Sequence, residues 1–248
     1  MKRVVIDERR NVLVAKTDEE AYDFCVQTFI EEAKKAIIAR ASFSVALSGG
    51  QTPIPFFEKL TEPSNALLVN WPLIEIFWGD ERPLPPTDPE SNYGTALTYL
   101  NVPPLNQAKK HRLVGDCDDL DTSASNYEKL VKATCSEKRF DLVLLGVGDD
   151  GHTASLFAHT SALKEEKRLF LPNYVPNKKI WRMTITYPAI EQARAVYVLV
   201  IGKGKSKILK QIFYSDYNPE ELPAQRLGTK ENPVTFIVDR KAVFGMGL

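Results

Sequence analysis

His152 stands among small and acidic residues in GVGDDGHTASLF, residues 146–157, at the end of an apolar run, FDLVLLGV, that begins at Phe140. Imidazole takes a proton from water near neutral pH and returns it to a leaving group, and a nearby carboxylate fixes its tautomer and raises its basicity. Asp150, two residues earlier, is the candidate carboxylate, with substrate positioning as its alternative role. A lone histidine is more often structural than catalytic, but a loop carrying Gly146, Gly148 and Gly151 at a strand end favours chemistry. His152 and Thr153 are expected to lead into a helix.

Two other segments follow apolar runs in the same way. In ALSGGQTP, 46–53, a strand runs into Ser-Gly-Gly, and a proline follows where the first turn of a helix would be. Glycine lets backbone approach a ligand, proline suits a helix start, and exposed N–H groups there favour an anion such as phosphate. The same segment reads equally as a plain strand-to-helix turn, and it lacks the GxxxxGK[ST] pattern of a nucleotide-phosphate loop. In FWGDERPLPP, 77–86, the triplet Asp80, Glu81 and Arg82 is either a solvated turn or part of a site. Arg82 would fork onto phosphate or a polarised carbonyl oxygen, and Asp80 would hold a sugar hydroxyl or water. Arg182, on a strand expected at WRMTIT, 181–186, and Lys205 in GKGKSKILK, 202–210, where another helix is expected to begin, are further phosphate-ligand candidates, although most such cations simply face solvent.

Metal and nucleophile readings are weaker. Asp149, Asp150, His152 and His159 lie close in sequence, but the histidine spacing is not HExxH, and His111 has no ligand-like companions. No metal is expected. Ser48 sits in SGG rather than a GxSxG elbow, and Ser155 has no nucleophile signature.

These loops need a frame to hold them. FSVAL from 43, LIEIFW from 73, the run from Phe140, AVYVLVIG from 195 and VTFIV from 234 read as buried strands. A helix begins with a capping box at Thr17 and Glu20, and others cover TALTYL, SASNYEKLVKAT and KSKILKQIFYS. Unbroken apolar strands alternating with helices predict an α/β fold: a doubly wound, mostly parallel sheet with helices on both faces. Ligands in such sheets bind beyond the carboxyl ends of the strands, which is where the three motifs fall. No repeat or linker divides the 248 residues, so a single domain over 1–248 is expected.

Composition limits the partners. With 32 basic and 32 acidic residues the formal net charge is zero, so no global field draws the chain to nucleic acid or to an anionic membrane. No stretch approaches the roughly 20 apolar residues that span a bilayer, and the N-terminus turns charged early, which gives the expectation of a soluble, cytoplasmic protein. Cys25, Cys117 and Cys135 are odd in number and widely spaced, as expected of reduced thiols. A monomer is the default expectation.

SGGQTP, GDERPLPPTDPESNYG and FDLVLLGVGDDGHTASLF, in this order, together resemble the 6-phosphogluconolactonases, with DGHTASLF the most diagnostic segment. The resemblance runs from about residue 20 to the C-terminus. It implies a Rossmann-like α/β fold related to that of the glucosamine-6-phosphate deaminases. The implied reaction is cofactor-free hydrolysis of 6-phospho-D-glucono-1,5-lactone to 6-phosphogluconate. His152 would be the acid-base group with Asp150 beside it. Ser48, Gly49, Gly50 and Thr52 match the phosphate-side loop, Asp80, Glu81, Arg82 and Asn92 match the second motif, and Arg182 and Lys205 fall where the wider superfamily has basic phosphate ligands. Where the family commonly continues Pro-Gly-Thr, this chain has Ala158, His159 and Thr160. The deaminases are the closest rival. They resemble DGHIAFNEP and supply a glutamate to the site, whereas this chain has no acidic residue between His152 and Glu165. A non-catalytic sugar-phosphate sensor is the third reading.

Overall fold

The computed structural model describes residues 1–248. The first half of the chain forms β1 (Lys2–Asp7), β2 (Arg10–Ala15), α1 (Asp18–Arg40), β3 (Phe43–Leu47), α2 (Ile54–Thr61), α3 (Pro63–Ala66), β4 (Ile74–Trp78), β5 (Asp80–Glu81), α4 (Asn92–Leu100) and β6 (Lys109–Lys110). The second half forms α5 (Leu120–Thr134), β7 (Leu142–Leu145), β8 (Phe170–Val175), β9 (Ile180–Ile185), α6 (Tyr187–Gln192), β10 (Val196–Val200), α7 (Ser206–Tyr214) and β11 (Val234–Asp239).

Eight strands make the central sheet in the order β1-β2-β11-β10-β7-β3-β4-β6. Every neighbouring pair is parallel except the N-terminal hairpin β1–β2, as the unbroken apolar runs predict. Side-chain alternation then sorts the core onto two faces. Phe43, Val45 and Leu47 of β3, with Leu142 and Leu144 of β7, pack against α1, α2 and α4. Ala46, Val143 and Leu145 face the other way, towards α5, α6 and α7. Helix α1 starts as its sequence predicts: the Thr17 hydroxyl accepts the Glu20 N–H at 3.1 Å, and Asp18, Glu19 and Glu20 favour the positive end of the helix dipole. The Glu20 carboxylate takes the Lys16 N–H at 2.5 Å rather than that of Thr17.

Of a second, antiparallel sheet, β5-β9-β8, the sequence shows only β9, the strand expected at WRMTIT. The chain passes from one sheet to the other through Gly79. Its N–H donates to Leu47 O of the central sheet at 2.9 Å, and its carbonyl accepts from Ile185 N of β9 at 2.6 Å. Asp80 and Glu81 then pair with Thr184 and Met183, which carries the acidic triplet away from the central sheet and across its end.

The helix expected after His152 is absent. Residues 153–156 instead form a tight turn closed by a Thr153–Leu156 bridge, with Ala154 in the left-handed region at φ 48°. The hydroxyls and amides of this segment find partners outside a helix: Thr153 Oγ1 donates to Gly146 O at 2.8 Å, and Ser155 N to Thr184 Oγ1 at 3.1 Å. Such bonds compete directly with helical ones.

The α1 face of the core is organised by Phe29, which is fully buried and has its ring within 6.0 Å of the centroids of Phe43, Phe56 and Trp71. Phe29→Ala should lower the unfolding free energy by about 3–5 kcal/mol, seen as a reduced urea midpoint at unchanged slope.

Candidate active site

The strand order reverses between β3 and β7. From β3 the sheet grows outward through β4 and β6, and from β7 it grows the opposite way through β10 and β11. The loops that follow β3 and β7 therefore diverge and leave a crevice beyond the strand ends. A cleft of about 190 Å³ opens there. Ser48 to Pro53 form one wall, Gly146 to Gly148 with His152 another, and Asp80, Arg82 and Asn92 a third.

The wall after β3 is built of unpaired donors. The N–H groups of Gly49, Gly50, Gln51 and Thr52 donate to no protein acceptor, just before α2 begins at Ile54. The Ser48 hydroxyl is differently employed: it donates to Leu144 O at 2.8 Å and ties the two diverging strands together. A Cβ on Gly49 would stand 1.9 Å from the Asn92 side chain, so this position takes only glycine if Asn92 is to keep its place.

His152 is held on several sides. Its Nδ1 pairs with Asp150 Oδ1, and its ring stacks on Phe157 with centroids 4.1 Å apart and planes 24° from parallel. The Lys178 ammonium lies 4.5 Å from the Phe157 ring centroid. A Cβ on Gly148 would fall 2.0 Å from the imidazole, which explains the glycine there. With Nδ1 engaged, Nε2 is the ring nitrogen without a protein partner. The hydrogen bond from His152 holds the Asp150 carboxyl down at about 2, so it stays ionised at neutral pH.

The third wall is a carboxylate network. Asp80 Oδ1 accepts from Asn92 Nδ2 at 3.0 Å and Oδ2 from Ser155 Oγ at 2.7 Å, so Asp80 joins α4 to the histidine loop. Asn92 Oδ1 is buried without a protein partner at the cleft wall. Asn173 Nδ2 supports the loop from behind by donating to Ser155 O at 2.9 Å.

The expectation for Glu81 is corrected by its surroundings. Glu81 is fully buried and lines no part of the cleft. Its carboxylate accepts from the backbone N–H groups of Arg82, Asn92 and Tyr93, each at 2.8 Å, and from Ser91 Oγ at 3.0 Å. Burial pushes its carboxyl above the ordinary value against these donors. Glu81 thus anchors the start of α4 and has no lone pair to offer a ligand.

The cations are unequally placed. Arg82 lines the cleft, and its guanidinium donates to Glu90 O. Lys205 Nζ donates to Val147 O at 2.8 Å and to Asp149 Oδ1 at 2.6 Å. Arg182, on β9, lies close enough to Arg82 and Asp80 to feel their charges, and burial followed by the Arg82 charge pulls it below its ordinary value. Neither Lys205 nor Arg182 is among the residues that line the cleft. Phe157, which the sequence does not single out, and Ser155, weighed there only as a nucleophile, are both neighbours of the site. Both lie inside the histidine motif, and only the fold reveals that Phe157 stacks on the imidazole and that the Ser155 hydroxyl donates to Asp80. Of the residues weighed as metal ligands, Asp150 and His152 pair with each other, Asp149 pairs with Lys205, and His159 Nε2 lies 2.9 Å from Glu221.

The chain is similar to known proteins over most of its length. The profile of the family described as glucosamine-6-phosphate isomerases/6-phosphogluconolactonase matches residues 16–236. The chain is 36% identical over 240 residues to a 6-phosphogluconolactonase of Chlamydia pneumoniae, covering 94% of this chain and 89% of the relative. Among solved structures, 6-phosphogluconolactonase from Trypanosoma cruzi superposes with a TM-score of 0.80 at 28% identity, covering 100% of both chains. A monomeric glucosamine-6-phosphate deaminase shares the fold, with a TM-score of 0.77 at 20% identity over 93% of this chain and 98% of that one. Match length, identity and the shared fold together establish that this chain belongs to the glucosamine-6-phosphate isomerase/6-phosphogluconolactonase family.

Proposed function

We propose that this protein is a 6-phosphogluconolactonase, hydrolysing 6-phospho-D-glucono-1,5-lactone to 6-phospho-D-gluconate, the second step of the oxidative pentose phosphate pathway. The observation that carries the reading is the pairing of an oriented imidazole, His152 with Nδ1 on Asp150, with a loop of four unpartnered amides in the same cleft. The amides of Gly49 to Thr52, with Lys205 and Arg182, take the phosphate, so that binding energy remote from the reacting bond orients the lactone carbonyl. Asp150 keeps the proton of neutral His152 on Nδ1, and Nε2 removes a proton from water. As the water oxygen bonds to C1, charge grows on the carbonyl oxygen, and Arg82 or loop N–H groups stabilise it. The C1–ring oxygen bond then breaks, and the imidazolium returns its proton to the departing ring oxygen, which opens the lactone. Every step uses groups of this chain and water.

Deamination of glucosamine 6-phosphate calls for a further carboxylate in the site. Asp80 is the acidic residue that lines this cleft, and both its oxygens already accept hydrogen bonds. We further assign the chain to the cytoplasm, as a single domain over residues 1–248 and a monomer. Its three free thiols, Cys25 and Cys135 buried and Cys117 exposed, support a reducing compartment. No helix is long and apolar enough to cross a membrane.

Two measurements test the mechanism. With lactone generated in situ and the spontaneous rate subtracted, His152→Ala should lose about a hundredfold to ten-thousandfold in kcat while 6-phosphogluconate still binds. Retained turnover would remove His152 from the mechanism. Asp150 tests the pairing through stability. A carboxyl held low in the folded state adds stability that is full above its ordinary value of 3.8 and is lost as pH falls through about 2. Urea midpoints should therefore fall less steeply for Asp150→Asn than for the wild type over that interval.

A further inference from the structure

Lys205 and Asp149 form an ion pair whose two members are held very differently. The Lys205 ammonium is tethered by Val147 O at 2.8 Å, and Val147 itself lines the cleft. That bond holds the ammonium against a residue of the cleft wall, although Lys205 itself is outside the lining. Asp149, by contrast, has its side chain 87% exposed and contacts Lys205 through Oδ1 at 2.6 Å, while the lysine side chain is only 21% exposed. Asp149 is also the neighbour of Asp150, so one turn, closed by the Gly151 N–H to Gly148 O bond at 3.1 Å, sends successive carboxylates to the phosphate-side lysine and to the catalytic histidine.

We propose that Asp149 is a displaceable counter-ion that competes with the substrate's phosphate for Lys205 and thereby sets the affinity of the site for phosphorylated ligands. The inference rests on the reading of Lys205 as a phosphate ligand. A phosphate near its second ionisation carries more charge than a carboxylate and offers more acceptor oxygens, so it displaces Asp149 from the ammonium. The Val147 carbonyl keeps the lysine in position during the exchange, so Asp149 is not needed to aim it. Because the pair is exposed on its acidic side, its effect on affinity is small, on the order of two- to fivefold. Asp149 thus weakens the hold on substrate and product alike, which eases product release without touching the reacting carbonyl.

The test is calorimetric titration of the full chain with 6-phosphogluconate, repeated with inorganic phosphate, at one fixed ionic strength. Wild type, Asp149→Asn, Asp149→Ser, Lys205→Met and the Asp149→Asn/Lys205→Met double variant are compared. Both Asp149 variants should bind about two- to fivefold more tightly than wild type, and that gain should vanish in the Lys205→Met background. Unchanged or weaker binding by the Asp149 variants overturns the proposal, as does an equal gain with and without Lys205, which would mark a general field rather than competition. If Lys205→Met alone leaves affinity unchanged, the phosphate-ligand reading falls and the proposal falls with it. Failure of the lactonase reading is separately visible, as wild-type protein that does not accelerate lactone loss.

Discussion

Hydrogen-bonded side by side in one sheet, β3 and β7 send their chains to opposite faces of it, and the rest of the site depends on that divergence. The chain leaving β3 turns into α2, which packs with α1. The chain leaving β7 descends through Val147 and Leu156 into the other half of the core. Neither loop can pair with the other beyond the last ladder bonds. Unsatisfied amides are costly when buried and useful when a charged ligand can accept from them. The Ser48 hydroxyl closes the crevice at its base by bonding Leu144 O, so the divergence begins at a defined point.

The second sheet gives this crevice its third wall. Gly79 hands the chain from one sheet to the other, and the two acidic residues that follow take different tasks. Glu81 turns inward and collects the first amides of α4, while Asp80 stays at the cleft and links Asn92 to Ser155. One short strand therefore holds the start of a helix, the histidine loop and a cleft wall in fixed relation. A displacement of β5 would move all three together, which explains how a site assembled from distant segments keeps its geometry.

Much of this was legible in the sequence, and the limits have physical causes. The parallel sheet could be read because strands buried on both faces are apolar at nearly every position, as LVLL is throughout and FSVAL is except at Ser44. The motifs could be placed because they follow those runs. What was not legible depends on partners far away in the chain. Glu81 and Asp80 are indistinguishable as neighbouring acids until the first amides of α4 return to Glu81 and the side chains of Asn92 and Ser155 to Asp80. The helix expected after His152 fails because Thr153 and Ser155 find Gly146, Thr184 and Asp80, which no local pattern announces. The small antiparallel sheet is legible only in β9, because β5 spans two residues and β8 carries Pro172 and Asn173 in its middle.

His152 is fixed by contacts of three kinds: a carboxylate at Nδ1, an aromatic face and a glycine whose missing side chain leaves the ring its space. An imidazole on a mobile loop would have to find its orientation anew in each catalytic cycle, with a loss of rotational freedom added to every barrier. Here that freedom is given up once, when the chain folds. The imidazole then behaves less like a flexible side chain than like a fixed part of the scaffold.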